Sequence, residues 1–142
     1  MDPLGYKSYE STDEKRLRQE LAMLSRSGMI PDPHLPANLA LFMDSKALAR
    51  ILFMHHIYML ALEVPGIIMD LGTRWGQNAA IFSSLRGIFD PFNRHRRIVA
   101  FDTFEGFPEV TVEDGSSDLM KSGNLKTPDG YVDFLRKLLW IN

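Results

Sequence analysis

Ile67-Ile68-Met69-Asp70-Leu71-Gly72-Thr73-Arg74-Trp75-Gly76 is the stretch on which the fold turns. A short apolar run ends in an acid, and two glycines spaced by four follow at once. Continuous apolar runs of this kind suit a strand buried on both faces of a parallel sheet. Glycine permits the tight exit from such a strand and the close start of a following helix. Ala79, Phe82, Leu85, Ile88 and Phe89 then recur at helical spacing, and Asp90-Pro91 closes that segment. Arg97-Ile98-Val99-Ala100-Phe101-Asp102 repeats the strand pattern and again ends in an acid. Strand, glycine turn, helix and strand make a βαβ unit, whose crossover is expected to be right-handed.

Upstream, Pro65-Gly66 ends a helix expected from Asp44 or Ser45 to Glu63. Leu48, Ile51, Leu52, Met59 and Leu62 follow helical spacing, and Phe53, Met54, Ile57 and Leu60 fill the other side. A helix apolar nearly all round is buried or lies in a subunit interface. Further back, Ser11 and Glu14 form a capping-box pattern at the start of a first helix. Leu17, Leu21 and Leu24 share one face, and Gly28 offers a stop. Met29–Asn38 carries three prolines and reads as a connector.

Downstream, Thr103–Lys126 shows no lasting periodicity and reads as a long loop of the functional or mobile kind. Thr127-Pro128 has the form of an N-cap followed by proline at the first helical position. Tyr131, Phe134, Leu135 and Leu138 give the last helix its stripe.

The chain has 142 residues, no cysteine, a net charge of −2 and 45% hydrophobic residues. That excludes disulfides, thiolate metal sites and a thiol nucleophile, and it carries no polyanion-binding signature. The apolar stretch Ile51–Leu71 is broken by His55, His56, Glu63, Pro65 and Asp70, so a membrane span is not expected. A cytoplasmic protein without nucleic-acid or membrane partners is the expectation.

The chemistry lies in Asp70-x-Gly72-x-x-x-Gly76 with Asp102 on the next strand. The helix N-terminus offers unpaired N–H groups to a carboxylate or phosphate. Asp102 lies where acids accept ribose hydroxyls in Rossmann-type sheets. The dinucleotide pattern G-x-G-x-x-G is absent. A carboxylate at Asp70 repels pyrophosphate but suits an amino-acid ammonium, so the electrostatics favour the methionine end of S-adenosylmethionine over a nicotinamide dinucleotide. Purely structural glycines, and Asp102 as a plain strand-end acid, remain alternatives. His55 and His56 point in different directions on a helix and read as packing residues. Arg94, His95, Arg96 and Arg97 read as a solvated loop. Glu105, Glu109, Glu113, Asp114 and Asp118 lack calcium-loop spacing.

Asp70-Leu71-Gly72-Thr73-Arg74-Trp75-Gly76, with Val99-Ala100-Phe101-Asp102-Thr103-Phe104-Glu105-Gly106-Phe107-Pro108, resembles class I S-adenosylmethionine-dependent methyltransferases. The resemblance is greatest to the branch of macrocin-type sugar O-methyltransferases and covers about residues 45 to 110. It implies that Asp70, Gly72 and Gly76 line the methionine part of the cofactor and that Asp102 meets its ribose. Thr73, Arg74, Thr103 and Phe104 complete the cofactor-binding set. Arg74 departs from the middle glycine that many methyltransferases carry there.

The resemblance also implies a seven-stranded sheet, of which two strands fall in this sequence. The adenine contacts and the acids that hold magnesium would then lie after Asn142. The expected fold is therefore α/β, the N-terminal part of a Rossmann-like doubly wound parallel sheet with preceding helices. Residues 1–38 form an arm and helix, and 39–142 the first half of the cofactor domain, truncated. The intact protein is expected to methylate a hydroxyl of a small molecule, such as a sugar, and to form a homo-oligomer. This chain alone is expected to be inactive, and no residue in it reads as a catalytic base or metal ligand. The alternative is a non-catalytic cofactor-binding or scaffold protein of the same fold.

Overall fold

The structure, a computed structural model, describes residues 11–115, 117 and 119–141. Four helices, α1 (Thr12–Ser25), α2 (Ser45–Leu62), α3 (Gln77–Phe89) and α4 (Tyr131–Ile141), accompany two strands, β1 (Ile68–Leu71) and β2 (Ile98–Phe101). Two compact units are distinguished, one running to Arg50 and one beginning at Ile51.

In the first unit, the capping box forms as its residues dictate. The Glu14 backbone N–H donates to Ser11 Oγ at 3.2 Å, and the Ser11 N–H donates to Glu14 Oε2 at 3.0 Å. Each bond satisfies a donor that the first helical turn leaves orphaned. Lys46 Nζ donates to Glu14 Oε1 at 2.7 Å, and Asp44 caps α2 by accepting the Ala47 N–H at 2.7 Å. The proline-rich connector coils into two 3₁₀ turns, Asp32–His34 and Pro36–Phe42, each with proline near its start.

The second unit is built on the parallel pair β1 and β2, with Ile68 opposite Ile98 and Leu71 opposite Phe101. Side chains alternate across a strand, so Ile68 and Ile98 share one face and Met69, Leu71, Val99 and Phe101 share the other. The first face meets Tyr58 of α2 and Phe82 and Leu85 of α3, with Met54, Leu62 and Ile81 around them. That cluster is the core of the unit. His55 packs its ring against Phe89 at 5.5 Å, in line with a packing role.

Burial on both faces does not hold. Met69 is 53% exposed, Leu71 72% and Phe101 47%. Apolarity alone does not distinguish the two faces; among the described residues, helices α2 and α3 pack on the Ile68 side.

A second correction concerns Arg96, which is 3% exposed rather than solvated. Its Nε contacts Asp90 Oδ2 at 3.3 Å and its Nη1 donates to the Gly66 carbonyl at 3.4 Å. Asn93 Nδ2 also donates to Asp90 Oδ2, at 3.0 Å. Together these bonds tie the end of α3 to the start of both strands. No helix among the described residues is long and apolar enough to cross a membrane.

Candidate functional site: the strand tips and their loops

Asp70, near the end of β1, and Asp102, just after β2, lie at the same end of the strand pair, where two loops meet. The Phe101 carbonyl accepts the Gly72 N–H at 2.9 Å and the Thr73 N–H at 3.3 Å, prolonging the strand pairing into the glycine loop. The loop then passes through left-handed backbone at Gly72 (φ 80°), Arg74 (φ 47°) and Gly76 (φ 73°). Such angles suit glycine and disfavour a residue with a Cβ, which makes Arg74 the unusual member. A side chain at Gly72 would enter open space, so this glycine leaves room in front of the strand tip. At Gly76 a Cβ would run into Leu135 of α4. This glycine therefore admits a helix from far along the chain as well as starting α3.

Asp70 is buried on the α3 side of the sheet. Its Oδ2 accepts from Thr73 Oγ1 at 3.0 Å and its Oδ1 from Asn78 Nδ2 at 3.3 Å. Gly76 gives α3 no side-chain cap, so the first-turn N–H groups keep their positive dipole end directed at the space beyond the loop.

Asp102 joins the two loops. Its Oδ2 accepts the Arg74 N–H at 2.8 Å, and its Oδ1 accepts the Phe104 N–H at 2.6 Å. Phe104 is itself left-handed, at φ 62°. Thr103 Oγ1 donates to the Gly106 carbonyl at 3.4 Å. Asp102 thus ties Arg74 of the glycine loop to Phe104 of the following loop, with Thr103 beside them, while Asp70 and Thr73 are buried beneath.

The segment after β2 is more ordered than its composition suggested. Phe107 and residues 123–124 exchange backbone bonds, Phe107 N–H to Asn124 O at 3.1 Å and Gly123 N–H to Phe107 O at 2.9 Å. Gly106 lies so close to the Asn124 carbonyl and the Lys126 nitrogen that no Cβ fits there. Lys126 Nζ meets Glu105 Oε2 at 2.9 Å, and this carboxylate holds the ammonium above its usual range.

Thr127 does not cap α4. It is buried, and its N–H and Oγ1 both donate to the Phe104 carbonyl, at 3.1 and 3.2 Å. The helix starts only at Tyr131. Tyr131 stands edge-on to Trp75 at 4.9 Å and donates its hydroxyl to the Trp75 carbonyl at 3.0 Å. Arg74 lies 5.2 Å from the Trp75 ring centre, a cation–π arrangement. Sequence reasoning missed Thr127, Tyr131 and Leu135 as loop supports. Gly76 signalled a close neighbour without saying which.

Of the five acids after β2, Glu105 pairs with Lys126 and Asp114 accepts from Thr111 N–H and Oγ1, while Asp118 lies outside the described residues. Among the described residues no group of three or more His, Cys, Asp or Glu gathers to hold a metal.

Loop and strands together form a parallel βαβ unit with an acid near the tip of each strand. The particular likeness is to sugar O-methyltransferases. The crystal structure of CalS11, a calicheamicin methyltransferase, matches with a TM-score of 0.89 and 36% identity over 98% of this chain and 54% of that one. The apo structure of CalS11, described as a TDP-rhamnose 3'-O-methyltransferase of calicheamicin biosynthesis, matches with a TM-score of 0.75 and 32% identity over 93% of this chain and 48% of that one. The chain spans about half the length of these proteins. No family model and no curated protein matches it.

Proposed function

We propose that this chain carries the donor-binding part of an S-adenosylmethionine-dependent methyltransferase acting on a hydroxyl of a small molecule, a sugar above all. One observation carries the reading. Asp70, the glycine loop and Asp102 meet at the tips of two adjacent parallel strands, in a chain 36% identical to a sugar O-methyltransferase.

The residues fit the donor. Gly72 leaves space at the strand tip, the uncapped start of α3 offers N–H groups to a carboxylate, and two acids supply counter-charge for a cationic ligand. When bound, S-adenosylmethionine supplies an electrophilic methyl group. The loop's part is to hold that group in line with an acceptor oxygen, which lowers the entropic cost of the encounter. Asp102 keeps lone pairs beyond its two backbone bonds, and these suit the donor ribose. The fit does not extend to magnesium: among the described residues no three His, Cys, Asp or Glu gather to hold one, and no step through a metal is derived. A cytoplasmic location and homo-oligomerisation belong to the same proposal.

Transfer of labelled methyl from S-adenosylmethionine to a nucleotide-linked deoxysugar, beginning with TDP-rhamnose, tests the activity in a protein that carries this chain and matches the CalS11 chain in length. Labelled sugar supports it; saturable donor binding with no transfer to any sugar in the panel contradicts it. That second outcome favours a non-catalytic cofactor-binding protein, a reading with its own support in carboxylates already occupied by loop hydrogen bonds.

A further inference from the structure

Asp102 does more than border the ligand space. We infer that it is a positioning residue, a staple whose two carboxylate oxygens hold two left-handed loop residues, Arg74 and Phe104, in the shape that receives the methyl donor. The consequence for binding rests on the donor reading above; the staple itself does not.

Arg74 and Phe104 are the two residues beside the strand tips that make the loops costly, Leu125 lying further along the second loop. Both carry a Cβ and both stand at positive φ, 47° and 62°. A lone residue reverts from such a conformation unless its surroundings hold it there. Their hydrogen-bond partners do so. Asp102 Oδ2 takes the Arg74 N–H at 2.8 Å, 28 positions away, and Oδ1 takes the Phe104 N–H at 2.6 Å, two positions away. Bonds from N–H to an ionised carboxylate are the stronger kind. Each loop is also held from its other side: the Phe104 carbonyl by Thr127, and the carbonyl of Trp75, next to Arg74, by the Tyr131 hydroxyl. The two halves of the site are thereby locked to one another through a single side chain.

This explains the residue type. Two N–H groups must be met by two acceptors on one short side chain. Aspartate has them, whereas asparagine offers one oxygen and turns an NH₂ group towards whichever N–H remains. A residue whose sole task was to accept a ribose hydroxyl would not need both oxygens directed at backbone.

The test uses the whole chain without ligand, then with S-adenosylhomocysteine. In the unliganded protein, the Arg74 and Phe104 amides should exchange with solvent at least tenfold more slowly than exposed loop amides. Asp102→Asn, nearly isosteric, should release one of the two and Asp102→Ala both, while core amides of Phe82 and Leu85 keep their protection.

S-adenosylhomocysteine affinity should fall tenfold or more in Asp102→Ala. It should recover at least threefold when Arg74→Gly and Phe104→Gly are added, because glycine accepts the left-handed backbone without a staple. Unchanged exchange at both amides in Asp102→Ala overturns the inference, as does a loss of affinity that the glycines do not recover. Protected amides in a wild-type chain that binds no S-adenosylhomocysteine leave the staple standing and sink the donor reading instead.

Discussion

Arg96 and Tyr58 are buried close together in charge terms, yet their substitution should have opposite consequences. Arg96 is satisfied by Asp90 and the Gly66 carbonyl. Arg96→Met leaves Asp90 without its cation and should cost about 3 kcal/mol, the usual scale for breaking a buried pair from one side. Tyr58 is wholly buried and its hydroxyl has no hydrogen-bond partner among the described residues. Burial, aided by the nearby Asp90 carboxylate, holds that hydroxyl above its ordinary titration range. Tyr58→Phe removes an unsatisfied polar atom and should leave stability unchanged or raise it by up to about 1 kcal/mol. Urea denaturation of the two variants reads both effects, and a Tyr58→Phe loss comparable to that of Arg96→Met would contradict the assignment.

Gly106 belongs to the same scale. It combines φ 76° with backbone from Asn124 to Lys126 where its Cβ would be. Backbone gives way less readily than a flexible side chain, so Gly106→Ala should cost more than the ~1 kcal/mol of an open left-handed glycine. Gly123, left-handed with nothing in its way, is the control. Equal midpoints for Gly106→Ala and Gly123→Ala would show that the 103–127 segment does not close as described.

At the scale of the element, local signals translated well wherever the relevant partners lie within a few residues. Ser11 and Glu14 specify their box, and Asp44 caps α2. The glycine exit from β1 follows from angles that only its spacing can deliver. Reading failed where a distant partner takes over a local role. Thr127 has the chemistry of a cap, but the Phe104 carbonyl, 23 positions back, claims its hydroxyl and N–H. Arg96 sits in a basic run that looks solvated, and only the fold reveals Asp90 and Gly66 beside it. The stretch 103–126 has no period because its order comes from irregular backbone pairing, which leaves no periodic trace in the sequence.

The α1 cap offers a prediction with a definite sign. The Lys46 ammonium hydrogen bond, followed by the bonds from Ser11, lowers the Glu14 carboxyl from 4.5 to about 2. A depressed carboxylate stabilises the folded form above its unfolded value and loses that contribution as pH falls towards the folded value. Helicity attributable to α1 should therefore decline between about pH 4.5 and 2. The decline should be shallow, because the group is exposed and screened by solvent. Glu14→Gln should abolish that pH dependence in circular dichroism; the same acid transition in the variant would assign it elsewhere.

For the whole molecule, the sequence placed two acids and a glycine turn by the strand ends but not what those residues are already doing. Asp70 and Asp102 were legible as strand-end acids. That Thr73 and Asn78 occupy Asp70, and that two loop amides occupy Asp102, required the fold. The sheet shows the same division. Its parallel order and register follow from two apolar runs and one helix, whereas its bare second face, with Met69, Leu71 and Phe101, could not be read from apolarity alone.

The central claim is that this loop pair receives a methyl donor and not a dinucleotide. Calorimetric titration of the chain with S-adenosylhomocysteine and with NAD, each repeated on Asp102→Ala, tests it directly. S-adenosylhomocysteine should bind saturably and one to one, weakened by about 1–3 kcal/mol in Asp102→Ala, and NAD should give no heat beyond dilution. Binding of NAD alone, or S-adenosylhomocysteine binding indifferent to Asp102, would contradict it.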